Sequence, residues 1–453
     1  MDLLKRKVVV SLLTCLIVIA AFLTGCAGNQ TSGDTQSDGD SSTSNGEKSL
    51  TVLVEGGSPA FKVSQQTADE FKELTGYEVK IEAVPYIGVY DKLKAEVASR
   101  AGAYDVATID ILWFPSLAGG LLPLDNLITK EVKDDLFPGL ISGGSYNDKV
   151  LGMPVWTNAK TLLYRKDLFE DEANKKAFKE EYGYELQPPK TWEEYQDAAK
   201  FFTRDTDENG QIDLYGTTVF GANNGDAVAS WLDHAAQAGA EPLVIGENGE
   251  VLVNKKPYVE ALELLTDMLN EDKSVPPGAL EMASAETAEL FWSGNAAMML
   301  AWGHFYVPSN DSSQSDVAGK VGSAPMIAGS EGIGAVPGPW YQVVPKSSKK
   351  QEIAKQYLEF LYGKNELYME ALGVAARKSV FEKYSQKEGY EHLEPLMTTL
   401  SGKQTQNRPP IREWQQIESE ALIPAVQYAL SGEQTPQEAL DWAASIIEGI
   451  VQP

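Results

Sequence analysis

Residues 77–110 read YEVKIEAVPYIGVYDKLKAEVASRAGAYDVATID, and two strand patterns enclose a helix pattern in them. EVKIEAV (78–84) alternates apolar and polar residues, the period of a half-buried strand. DKLKAEVASR (91–100) reads as a helix that stops at Gly102. YDVATID (104–110) reads as a buried strand. Upstream, LTVLV (50–54) is a short β-branched run, and the helix pattern through TADEFKEL (67–74) ends at Gly76. Strand, helix, strand, helix, strand predicts an α/β body with a mostly parallel sheet and helices on both faces. Downstream the alternation continues with more helix. TWEE (191–194) has the form of a capping box, and TPQE (435–438) repeats it with Pro at the first helical position. Trp192 and Trp442 in these helices are most simply core residues.

The N-terminus is of another kind. Lys5, Arg6 and Lys7 precede an apolar run of about 17 residues, Val8 to Thr24, short of the roughly 20 that cross a bilayer. A basic start, an apolar middle and small residues at the end describe a secretory signal peptide over 1–25. The plainer alternative is an uncleaved anchor helix. Leu23-Thr24-Gly25-Cys26 resembles the bacterial lipobox, which would make Cys26 the first mature residue and its sulfur a lipid attachment point. Two or more acyl chains, palmitate among them, would then hold the protein at the extracellular face of the cell membrane, since each buried methylene contributes about 0.8 kcal/mol. Residues 26–48 that follow hold almost no apolar side chains. They cannot offset their own conformational entropy and read as a flexible tether.

Composition excludes some functions. The 453 residues carry a formal charge of -27. Removing a leader of net +2 leaves the mature chain near -29. That argues against nucleic acid, whose phosphates require basic patches. The two cysteines are Cys15, in the leader, and Cys26, so no disulfide is expected and stability must come from core burial. The chain is long enough for two or more cores.

Little points to catalysis. His234, His304 and His392 form no HExxH or spaced metal cluster, and no GxSxG, P-loop or GxGxxG occurs. A paired-carboxylate hydrolase stays open, because acids are plentiful and nothing singles out a pair. In the loop DTDENGQID (205–213), Asp205, Asp207, Asn209 and Asp213 match oxygen positions of an EF-hand loop. They are candidate ligands of a structural Ca2+, although Gly216 stands where the bidentate Glu belongs. The same residues suit an Asx-rich turn. No other cofactor is expected. Tryptophans cluster at presumed strand ends: ILWFPS, PVWTN, LAWGHF and GPWYQ. An indole can bury the C–H face of a sugar ring, while Asp, Asn and Arg satisfy its hydroxyls. Core packing is the alternative for any one of them.

Seven fragments follow one another as in a known family. FKELTGYEV, YDVATID with LLPLDNLI, GMPVWTNAKTLLYRKDLF, PPKTWEEYQDAAKFF, FWSGNAAMMLAW, PGPWYQVVPKSSKKQEIAKQYLEFL and LGVAARKSV together resemble the extracellular solute-binding protein family 1, carbohydrate receptors of ABC importers distantly related to maltose-binding protein. The resemblance implies a two-lobed, type II periplasmic-binding-protein fold with three inter-lobe crossings, near 154–157, 325 and 361–366, and a ligand cleft between the lobes. Lobe one would be 49–155 with 325–363, and lobe two 156–324 with 364–453. It implies no enzyme activity, a sugar, oligosaccharide or other polar small-molecule ligand, ABC permease subunits as partners, membrane attachment through the lipid and a monomer. Carried over singly, the ligand residues would be Glu55, Gly57 and Ser58 after the first strand and Asp110 and Trp113 after the third. Trp156 would lie at the first crossing. Asn224, Asp226, Trp231, Trp302 and His304 would come from lobe two, and Trp340, Arg377 and Trp414 from the returning segments. Two other readings of an aromatic, acidic cleft remain: a cell-surface hydrolase, or a carbohydrate-binding adhesin or sensor uncoupled from transport.

Overall fold

The computed structural model describes residues 48–451. The expected signal peptide, Cys26 and the expected tether as far as Glu47 lie outside the described residues. Among the described residues no helix is long and apolar enough to cross a membrane.

Eight strands carry two sheets: β1 (Ser49–Glu55), β2 (Glu78–Val84), β3 (Val106–Asp110), β4 (Met153–Trp156), β5 (Lys160–Arg165), β6 (Met298–Trp302), β7 (Val321–Ala324) and β8 (Trp340–Val343). The first sheet has the order β2-β1-β3-β8-β4, and the second β6-β5-β7. β1 runs parallel to β2 and β3, because helices Pro59–Thr75 and Tyr86–Ser99 return the chain between them. Ser58 caps the first of these helices by accepting from Phe61 N at 3.2 Å, and Gly76 ends it with φ 75°. The LTVLV run is buried because helices cover both faces of its strand: Leu50, Val52, Leu53 and Val54 have no exposed surface. β8 and β4 complete the sheet antiparallel. The second sheet is antiparallel throughout, so the parallel arrangement predicted from the N-terminal pattern holds only for β1 to β3.

Each sheet has its own apolar core. Cores built on β1–β3 and on β5 with helices Gly225–Gln237, Lys256–Thr266 and Pro436–Val451 define two lobes. Their limits differ from the sequence expectation at two places. Ile327 and Val336 belong to the second core, because Ala328 N donates to Lys190 O at 2.7 Å and Val336 N to Asp233 Oδ1 at 2.6 Å. The second crossing is therefore at 337–339, not near 325. Tyr368, Met369 and Phe381 belong to the first core, not the second. Asn365 turns the chain back onto that lobe: its Nδ2 donates to Val155 O at 2.7 Å and its Oδ1 accepts from Ala376 N at 3.0 Å. The third crossing consequently falls after Tyr384 and not at 361–366, because the helix Leu393–Leu400 already lies on the second sheet, with Thr399 Oγ1 accepting from Met326 N at 3.0 Å. The first crossing is 157–159, between β4 and β5.

Candidate ligand cavity

Strand register assembles the site. Asp110 ends β3, Trp340 opens β8 and Trp156 ends β4, and pairing sets Trp340 opposite both Asp110 and Trp156. The three side chains therefore meet at one edge of the sheet. The rings of Trp156 and Trp340 stack with centroids 5.2 Å apart at 20°. Tyr86, at the start of its helix, meets the edge of Trp340 at 5.8 Å, and its hydroxyl donates to Asp110 Oδ2 at 3.2 Å. In the second sheet Lys160 pairs with Trp302, which places Trp302 at the end of β6 and His304 just past it on the facing side.

Between them lies a cavity of about 520 Å³, in the range of small-molecule sites. Its walls include Tyr86, Trp156, Trp302 and Trp340, and its charged lining residues are Asp110, Asp226, Arg408 and Glu418. Gly338 lets Trp302 lie against the second crossing, since a Cβ there would be 3.2 Å from the indole. Trp302 Nε1 donates to Asp226 Oδ1 at 3.3 Å, fixing the ring plane.

Electrostatics follow from burial. Desolvation raises the Asp110 carboxyl above its usual range, opposed by Arg408, by the Leu112 N–H and by the Tyr86 hydroxyl. Desolvation also raises Glu418; Arg408 opposes this, while the charges of Asp110 and Asp226 add to it. The Trp414 side chain also favours the charged form of Glu418, whereas Arg408 Nε is buried without a hydrogen-bond partner in the protein and is available to a ligand. His304 is pulled down to about 4 by burial and is neutral at pH 7. Asn158 settles its tautomer. Asn158 Oδ1 accepts from Ala159 N at 3.0 Å, so its Nδ2 must donate to His304 Nδ1 at 2.6 Å. The ring hydrogen is left on Nε2, a donor for the cavity.

Of the residues expected from sequence, Asp110, Trp156, Asn224, Asp226, Trp302, His304 and Trp340 line this cavity. Trp113 is fully buried behind it, 5.9 Å from Trp340. Glu55 stands close enough to Asp110 for the two charges to act on each other, though burial is the larger reason its carboxyl is raised. Gly57 is exposed, and Ser58 is occupied as the helix cap. Three residues lie elsewhere. Trp231 is in the second core, with Nε1 donating to Tyr258 O at 2.9 Å. Trp414 is buried in the same core. Arg377 pairs with Asp135 at 2.6 Å in the first lobe. Each is held by its own lobe's packing, which spacing in the sequence does not reveal. Conversely, Tyr86, Asn158, Arg408, Gln415 and Glu418 line the cavity without having been singled out. Gln415 and Glu418 are three apart and share a helix face, and the buried Trp414 indole orients the turn that presents them.

The Asp205–Asp213 loop is a set of nested turns. Asp205 accepts from Asn209 N and Gly210 N, Asp207 from Asn209 N, and Asp213 from Thr206 N. Its oxygens thus serve its own backbone. Among the described residues no group of three or more His, Cys, Asp or Glu is placed to hold a metal ion.

Comparison with known proteins gives the same picture. A sequence model of the family described as bacterial extracellular solute-binding protein matches residues 56–366. A probable ABC transporter-binding protein of Deinococcus radiodurans is 26% identical over 347 residues, 75% of this chain and 78% of that one. An arabinooligosaccharide-binding protein of Bacillus subtilis is 24% identical over 375 residues, 80% of this chain and 77% of that one. The crystal structure of an ABC transporter solute-binding protein from Agrobacterium radiobacter K84 in complex with ribitol superposes with TM-score 0.74 at 26% identity, covering 89% of this chain and 98% of that one.

Proposed function

The chain belongs to the bacterial extracellular solute-binding proteins, which bind solutes and are not enzymes, and from that premise we propose that it captures a sugar, oligosaccharide or sugar alcohol for an ABC importer. The observation that carries this is the cavity itself. Trp156, Trp302 and Trp340 offer flat apolar faces, and Asp110, Asp226, Glu418, Arg408 and His304 offer acceptors and donors around them. That pairing suits a ring or chain with C–H faces and a rim of hydroxyls. The ligands named for the relatives, an arabinooligosaccharide and ribitol, share that chemistry.

Both lobes contribute to the walls, so a ligand that touches both favours their closed arrangement. The closed form is what membrane permease subunits would read. The protein would work as a monomer at the outer face of the cell membrane, anchored through acylated Cys26. The cavity is filled by capture and emptied by transport, with no bond broken.

Two experiments test this. In a thermal-shift screen of sugars, oligosaccharides and sugar alcohols, a ligand at 100 times its dissociation constant adds about 2.7 kcal/mol and raises the midpoint. Turnover of an oligosaccharide by the pure protein would instead favour a hydrolase. For the anchor, Cys26→Ala should prevent incorporation of a labelled fatty acid; label retained by the variant would overturn that part.

A further inference from the structure

The cavity holds an arrangement that selects by charge. Helix Gly225–Gln237 directs its N-terminus at it, with Asn224, Gly225, Asp226 and Ala229 in the lining. Such an end carries free N–H groups and partial positive charge, and ordinarily attracts an anion. Here the protein's own groups occupy it. Asn224 caps the helix by accepting from Asp226 N at 2.9 Å. Asp226 places a carboxylate in the first turn. Glu418, from the segment after the third crossing, lies directly over Gly225: a Cβ at that glycine would be 3.3 Å from Glu418 Oε1. Across the cavity stands Asp110, largely buried among the aromatic rings.

We propose that Glu418 and Asp226 exclude anionic solutes from this cavity, so that its ligand is an uncharged or cationic polyhydroxylated molecule and not a uronate or a sugar phosphate. This rests on reading the cavity as a polyhydroxyl site. The lining holds three carboxylates against the single guanidinium of Arg408, and His304 adds no charge at neutral pH. Arg408 already acts on both Asp110 and Glu418. An incoming carboxylate or phosphate would find the helix end occupied, and one cation set against like charges on two sides. Hydroxyls meet the opposite situation, because each can donate to a carboxylate oxygen of Asp110, Asp226 or Glu418 in the lining. Discrimination by a repulsive element of this kind needs no new attractive contact.

The charge of the cavity can be read without knowing the ligand, because three of its walls are tryptophans. Fluorescence quenching by iodide, caesium and acrylamide is compared for the full chain, its Glu418→Gln and Asp226→Asn variants, and the same proteins carrying Trp302→Phe to isolate the cavity signal. For that signal, each carboxamide variant should raise the ratio of iodide to acrylamide quenching by about twofold or more, a small part of what a protein field of several kT can produce. Caesium should move the other way. Ratios unchanged in both variants would overturn the proposal. So would a screen in which glucuronate, galacturonate or glucose 6-phosphate binds as tightly as glucose or galactose; at least tenfold weaker binding is expected. If none of the neutral sugars or sugar alcohols binds, the polyhydroxyl reading fails, and the iodide ratio still decides whether the cavity excludes anions.

Discussion

Lys160 and Asp233 form an ion pair at 2.8 Å with 1% and 0% of their side chains exposed. Lys160 opens β5 just after the first crossing, and its ammonium lies 4.4 Å from the centroid of the Trp302 ring. Asp233 is on the helix that lines the cavity, and its other oxygen accepts from Val336 N beside the second crossing. Removing one partner of a buried pair leaves an uncompensated charge and costs about 3–5 kcal/mol. Lys160→Met should cost that much. Asp233→Leu should cost about 1–3 kcal/mol more, because it also leaves the Val336 N–H without an acceptor. Asp233→Asn keeps that acceptor and should fall nearer the Lys160→Met value. The double variant Lys160→Met/Asp233→Leu removes both charges and leaves only the orphaned N–H, so it should lose about 1–3 kcal/mol and be more stable than either single variant. Equilibrium urea unfolding, followed by tryptophan fluorescence and circular dichroism, measures all four. Single-variant losses below about 1 kcal/mol, or a double variant as unstable as the singles combined, would refute the assignment of this pair as a compensated buried charge.

Other outcomes follow from the same geometry. Trp340→Ala removes the ring stacked on Trp156 and should weaken sugar binding at least tenfold, about 1.4 kcal/mol by titration calorimetry; Trp302→Ala should do the same from the other lobe. Trp231→Ala should instead cost about 3–5 kcal/mol of stability with the affinity of the folded fraction unchanged, and the reverse pattern would place that indole in the site. Burial raises the Glu418 and Asp110 carboxyls, so the folded chain binds these protons more tightly than the unfolded chain. Their contribution to stability therefore grows as pH falls from above the raised values toward the ordinary carboxylate range near 4. Glu418→Gln should flatten that part of a melting-temperature profile, and an identical profile would contradict the burial argument. Calcium should leave the melting curve in place, since the Asp205–Asp213 oxygens are engaged by their own backbone; a calcium-dependent rise that Asp207→Ala abolishes would make the loop a metal site.

Much of the fold was written locally. Alternation in EVKIEAV, the β-branched LTVLV run and the caps at Gly76, Thr191 and Thr435 act over a few residues, and the structure places strands and helix ends there. Trp156, Trp302 and Trp340 could be picked out because each stands at a strand end in a Gly or Pro context, where a side chain leaves the sheet. Membership of the cavity is a different kind of property. Arg408 and Glu418 carry no local signal, and they face Asp110 only because the chain crosses between lobes a third time beyond Tyr384. Trp231 and Trp414 stand in helical stretches instead, and helix packing turns them into the second core. The lobe limits moved for a similar reason: Asn365 ties its turn to Val155, 210 positions away in sequence. Periodicity and capping report what a residue does within its own element. Which elements meet is decided by burial of whole faces and by strand register, and those contacts join residues that the sequence leaves hundreds of positions apart.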